Sequence, residues 1–79
     1  MYYTYILKSE KDNKYYIGST ENLETRLNVH NSGSVKSTKN QRSLKLVWSE
    51  KYSTRAEAMG REKQIKRFKG GEAFKQLLN

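Results

Sequence analysis

The run Tyr2-Tyr3-Thr4-Tyr5-Ile6-Leu7, followed after a polar break by Tyr15-Tyr16-Ile17-Gly18, decides the fold. Aromatic and β-branched residues suit a pleated, half-buried surface, so each run predicts a strand. Between them, Glu10-Lys11-Asp12-Asn13 supplies turn chemistry. The two strands are expected to form an antiparallel hairpin. Side chains alternate along a strand. Tyr3 and Tyr5 should share one face, with Tyr2, Thr4 and Ile6 on the other.

Outward from the hairpin, a helix is expected to start near Thr20, whose hydroxyl can cap it, with Glu21 in the first turn. Leu23 and Leu27 give it a short apolar stripe, and Asn31-Ser32-Gly33 ends it. Residues 34–43 have no apolar period and carry Lys36, Lys39 and Arg42, which predicts a basic surface loop. Leu44 to Tyr52 alternates and predicts a third strand, with Leu44, Leu46 and Trp48 pointing one way. Thr54-Arg55-Ala56-Glu57 matches a capping box, and the helix it opens should run to about Phe68. Ala58, Met59 and Ile65 form the apolar stripe of that helix. Gly70-Gly71 breaks the chain, and Phe74, Leu77 and Leu78 have the spacing of a short last helix. The expected fold is α+β: one domain over residues 1–79, with a three-stranded antiparallel sheet flanked by helices in the order β-β-α-β-α-α.

A chain of 79 residues buries a modest core, worth about 5 kcal/mol of net stability or less. With no cysteine, disulfide frameworks and thiolate metal sites are excluded. No apolar run approaches the ~20 residues needed to span a bilayer, and Lys8 and Glu10 interrupt any signal-like core near the start. The expected location is the cytoplasm. Sixteen basic residues against eight acidic ones give a net charge of +8. Such a field favours anionic partners: nucleic acid first, an anionic membrane surface second, with solubility alone as the bland account.

Glu62 is the most informative single residue. It lies four residues after Ala58 and three before Ile65, where an apolar side chain belongs. A carboxylate there reaches water, pairs with Arg26 or a lysine, or binds a cation. Arg26 and His30, four apart on the first helix, project to one side, and His30 borders the apolar stripe. Read alone, His30 is as readily a packed or solvent-facing histidine, and a tyrosine cluster on a hairpin is more often cross-strand packing than catalysis. Lys36, Lys39, Arg42 and Lys45 form one basic cluster. Lys63, Lys66, Arg67 and Lys69 form another. Each suits the phosphate backbone or a solvated face.

Tyr3-Thr4-Tyr5 followed by Tyr16-Ile17-Gly18 resembles the paired motif of the GIY-YIG nuclease superfamily, with Tyr3 and Thr4 in place of Gly and Ile. Arg26 and His30 match its Arg-x-x-x-His helix. Arg61-Glu62-Lys63-Gln64-Ile65-Lys66 looks like the helix that carries its glutamate. The resemblance runs from Tyr2 to about Lys69 and is narrowest with small stand-alone members. An asparagine that many family nucleases carry on a later helix has no counterpart other than the terminal Asn79.

The resemblance implies a metal-dependent endonuclease. Glu62 would hold one divalent cation, Mg²⁺ or Mn²⁺. Arg26 would clamp the scissile phosphate. Tyr5 and Tyr16 would flank the attacking water, one as base or relay, and His30 would assist proton transfer or orient a tyrosine. DNA is the expected substrate over RNA, cut by a monomer with structure selectivity or with a protein partner. The alternative is a non-enzymatic nucleic-acid-binding module that retains the fold.

Overall fold

The computed structural model describes residues 1–31 and 44–78. Strands β1 (Tyr2–Ser9) and β2 (Tyr15–Thr20) form the expected hairpin, with Tyr5 opposite Gly18 and Leu7 opposite Tyr16. Asn13 takes the left-handed conformation at φ 59°, which asparagine tolerates because its short amide can bond locally. Ser9 N–H donates to Lys14 O and Asn13 N–H to Ser9 O, both at 2.9 Å, closing the turn.

Helix α1 (Leu23–Asn31) begins later than expected. Asn22, not Thr20, caps it: Asn22 Oδ1 accepts from Thr25 N–H at 3.0 Å. Thr20 is held in β2 by pairing with Tyr3, and its hydroxyl oxygen accepts from Asn22 N–H instead. The predicted helix end at Asn31-Ser32-Gly33 reaches past the described residues, of which the last on α1 is Asn31. Its side chain clamps the start of β3 (Leu44–Tyr52), accepting from Leu44 N–H at 2.7 Å and donating to Leu44 O at 3.2 Å. Ser32 and Gly33 lie outside the described residues.

β1 is the central strand of an antiparallel sheet ordered β2-β1-β3. Both its faces are covered, so Thr4, Tyr5, Ile6 and Leu7 are all buried. On one face Tyr5, Leu7 and Leu44 pack with Leu23 and Leu27 of α1. On the other, Ile6 packs with Ile65 of α2 (Arg55–Phe68) and Phe74 of α3 (Glu72–Leu78).

The third strand departs from simple alternation. Leu7 pairs with Leu46 but Ile6 pairs with Trp48, so Val47 is an extra, bulged residue. Past the bulge the faces exchange. Leu44 and Leu46 lie on the Leu7 side, while Trp48 packs on the Ile6–Ile65–Phe74 cluster. The expectation that all three point one way is thereby corrected.

Thr54 caps α2, its hydroxyl oxygen accepting from Glu57 N–H at 3.2 Å and its O–H donating to the Glu57 carboxylate at 3.0 Å. A cap of this kind contributes about 1 kcal/mol. The buried face of α2 carries Ala58 and Ile65, whereas Met59, expected in the stripe, is exposed. Thr4 Oγ1 donates to Ala58 O at 2.7 Å and pins α2 against β1. Gly70, at φ 89°, makes the turn into α3. No helix among the described residues is long and apolar enough to cross a membrane.

Candidate functional site

Tyr5 sits at the middle of the central strand, and its ring lies across Gly18 of the neighbouring strand. A Cβ added at Gly18 would stand 2.4 Å from Tyr5 Oη and 2.7 Å from Cζ, so this approach needs glycine. The phenol then reaches α1. Arg26 Nε–H donates to Tyr5 Oη at 3.3 Å, and the same oxygen meets His30 Nε2 at 3.4 Å. The Tyr5 and His30 rings pack edge to face, with centroids 6.3 Å apart. Arg26 and His30 fall on one side of α1 because residues four apart share a face.

Burial and the neighbouring Arg26 charge push the His30 imidazole below its usual value of 6.5. It is therefore neutral at pH 7. Because the folded value is lowered, the unfolded chain takes up this proton first on acidification. The stability linked to His30 is complete above pH 6.5 and is lost as pH falls through the lowered folded value. Thermal melts should accordingly show wild-type Tm falling below pH 6.5, before the carboxylates titrate near pH ~4. His30→Gln should be flatter over that window. Equal slopes in the two proteins would refute the assignment. Burial, with the Asp12 charge adding, pushes the Tyr16 phenol above its usual value of 10.0.

Tyr5, Tyr16, Arg26, His30 and Glu62 all line one open cleft of about 610 Å³. Since α1 packs on the Tyr5 face of the sheet and α2 on the Ile6 face, a cleft lined by both helices runs over the outer edge of β2. Glu62 borders it from α2 with its side chain 21% exposed, paired to Lys66 Nζ at 2.8 Å. Lys14, Lys66 and Lys69 also line the cleft, with Ser19 beside Gly18. Lys69 is tethered, donating to Tyr15 O at 2.8 Å. Four cationic groups around one carboxylate make the cleft attractive to anions.

The GIY-YIG catalytic domain family matches residues 1–73. The chain belongs to the GIY-YIG family. Among its relatives is a UPF0213 protein of Staphylococcus haemolyticus, 43% identical over 77 residues, covering 96% of this chain and 93% of that one. Another, from Clostridium perfringens, is 44% identical over 68 residues, covering 85% of this chain and 72% of the relative. The solution NMR structure of a UPF0213 protein from Bacillus halodurans superimposes with a TM-score of 0.60 at 30% identity, covering 98% of this chain and 82% of that one. GIY-YIG domains are nucleases and generally use divalent cations. The second motif of the name has a physical reason here: Gly18 makes room for the tyrosine that ends the first.

Among the described residues of this GIY-YIG domain, no three His, Cys, Asp or Glu side chains cluster to hold a metal. Among the described residues lining the cleft Glu62 is the one carboxylate, and without cysteines or a cluster of three ligands the site does not suit a structural zinc cage. It does fit Mg²⁺ or Mn²⁺, which keep several waters and take one or two carboxylates together with substrate phosphate oxygens.

The other sequence candidates are dispersed. Of the helical cluster, Lys66 and Lys69 line the cleft, while Lys63 and Arg67 are exposed and outside its lining. Lys45 lies opposite Lys8 and lines a separate groove with Glu10, Asn13 and Val47. Lys36, Lys39, Arg42 and Asn79 fall outside the described residues. Lys14 was missed by the sequence reading. The one signal for it was its place directly before Tyr15-Tyr16-Ile17-Gly18.

Proposed function

We propose that this GIY-YIG domain is a metal-dependent endonuclease that hydrolyses phosphodiester bonds in DNA, acting in the cytoplasm as a monomer with structure selectivity or a protein partner. The observation that carries the reading is the convergence of Tyr5, Tyr16, Arg26, His30 and Glu62 on one cleft. Glu62 would hold the divalent cation, which supplies Lewis-acid stabilisation of charge at the phosphoryl and leaving oxygens.

Tyr5 is the water-activating group in this reading. Its oxygen accepts from the Arg26 guanidinium, which holds the phenol oxygen in place at the cleft. Tyr5 Oη lies 3.4 Å from His30 Nε2, which can accept the phenol proton when the neutral imidazole carries its own proton on Nδ1. As water approaches the scissile phosphate, Tyr5 Oη takes a water proton while its own passes to His30 Nε2. The 3.3–3.4 Å separations are of the kind that tighten once substrate is bound. Arg26 meets Tyr5 through Nε, and the terminal N–H donors of its guanidinium fork suit phosphate oxygens. Tyr16, with its phenol pushed up, stays protonated and donates a hydrogen bond rather than serving as base. Lys14, Lys66 and Lys69 contact the backbone of the bound strand and add affinity without sequence information.

The test is to incubate the purified protein with single-stranded, nicked, branched and duplex DNA under Mg²⁺ or Mn²⁺. Strand cleavage that EDTA abolishes is the expected result. The Lys66–Glu62 ion pair, which already occupies the carboxylate, favours a second reading: a nucleic-acid-binding module that keeps the nuclease fold without the chemistry. DNA binding with a steep salt dependence and no cleavage under either cation would establish it in place of the first.

A further inference from the structure

The Glu62 carboxylate that the preceding reading gives to a cation is held by an ammonium, with Lys66 Nζ one helical turn away at 2.8 Å. We infer that Lys66 is a built-in counter-ion: it holds Glu62 until a divalent cation arrives and then passes to a substrate phosphate, coupling cation binding to nucleic-acid binding. This rests on Glu62 being the cation ligand.

Two features of Lys66 suit it to the exchange. Its side chain is 53% exposed, against 21% for Glu62, so the ammonium can leave toward water on a flexible four-carbon stem. It also lines the cleft, so that where it swings a phosphate would lie. Lys69 donates to Tyr15 O rather than to Glu62, so it has no carboxylate to release. Lys63, on the same helix, stands outside the cleft.

An ammonium and a divalent cation on one carboxylate repel each other. The cation must therefore displace Lys66 or bind beside its charge, and either lowers its affinity. A phosphate in the cleft draws the ammonium off and relieves that cost. By linkage, DNA then tightens cation binding by the same factor by which the cation tightens DNA binding. Such a device keeps the site poorly metallated until substrate is present.

The test is a calorimetric titration of Mn²⁺ into wild type, Lys66→Met, Lys63→Met and Glu62→Gln, each checked for fold by circular dichroism. Lys66→Met should bind Mn²⁺ on the order of tenfold more tightly than wild type, since one adjacent positive charge is removed. Lys63→Met should change little and Glu62→Gln should lose the site. Anisotropy of a labelled DNA oligonucleotide, with Ca²⁺ or EDTA, should give a smaller cation-induced gain in affinity for Lys66→Met than for wild type. If Lys66→Met binds no tighter than wild type, or no tighter than Lys63→Met, while Glu62→Gln loses Mn²⁺, the counter-ion role is overturned and the cation site stands. If Glu62→Gln binds Mn²⁺ as wild type does, the cation reading itself falls and takes this inference with it.

Discussion

Glu62→Gln is expected to lower single-turnover cleavage by at least about 10³-fold, because losing the proposed cation ligand would remove several kcal/mol of transition-state stabilisation. The amide keeps the volume of the carboxylate but is neutral and a poor ligand for a hard cation. Little else should change. The ion pair to Lys66 is of the i, i+4 type on a helix, worth about 0.3–0.5 kcal/mol, so Tm should stay within a few degrees of wild type. Removing one negative charge takes the net charge from +8 to +9, so DNA affinity should hold or rise. The loss therefore belongs in kcat and not in binding, the pattern of an interaction made in the transition state. Cleavage undiminished in this variant would mean that the chemistry sits elsewhere or comes from a contaminant.

That experiment isolates Glu62 because its place was partly readable from local spacing. Periodicity puts it where an apolar side chain of the α2 stripe belongs, with water, Arg26, a lysine or a cation left open as its partner, and the structure pairs it with Lys66. The hairpin, the order of elements and the Thr54 cap were readable for the same reason: each depends on residues within a few positions of one another. What failed was non-local or a contest between near equals. Val47 leaves the alternation of Leu44, Leu46 and Trp48 intact in the sequence, so only the pairing to Ile6 and Leu7 reveals the bulge. Thr20 and Asn22 are both good caps, and the strand claimed Thr20. Met59 had the right spacing for burial, but Ala58 and Ile65 filled the buried face of α2. Sheet order, which puts β2 at the edge and lets the cleft run over it, is set by which strands pair and leaves no local mark. The site residues were named through the resemblance to the GIY-YIG pattern, and their common cleft is set by the sheet order. Lys14 lines the cleft without any further mark in the sequence, because it sits at the end of a turn, where charged residues are ordinary.

Gly18→Ala should strike the site without touching any polar group in it. The new Cβ would lie 2.4 Å from Tyr5 Oη and 2.7 Å from its Cζ, well inside contact distance. Tyr5 is only 4% exposed, and its ring is confined by Leu7 and Leu44 below and by Arg26 and His30 at its tip. The phenol must shift and stretch both hydrogen bonds, or β2 must move away from β1. A displacement near 1 Å at a reacting group costs about 10²-fold in rate, and overpacking costs about 1–3 kcal/mol. Against a total of about 5 kcal/mol for so small a domain, that is a large share. Cleavage rates and urea melts of the purified variant measure the two effects. Tyr5→Leu supplies the control, since leucine lacks the Oη, Cζ and Cε2 atoms that the new Cβ would meet. In that background Gly18→Ala should cost little further stability, giving a strongly non-additive cycle. Additive losses would mean that glycine is needed at position 18 for the strand itself and not for the tyrosine that crosses it.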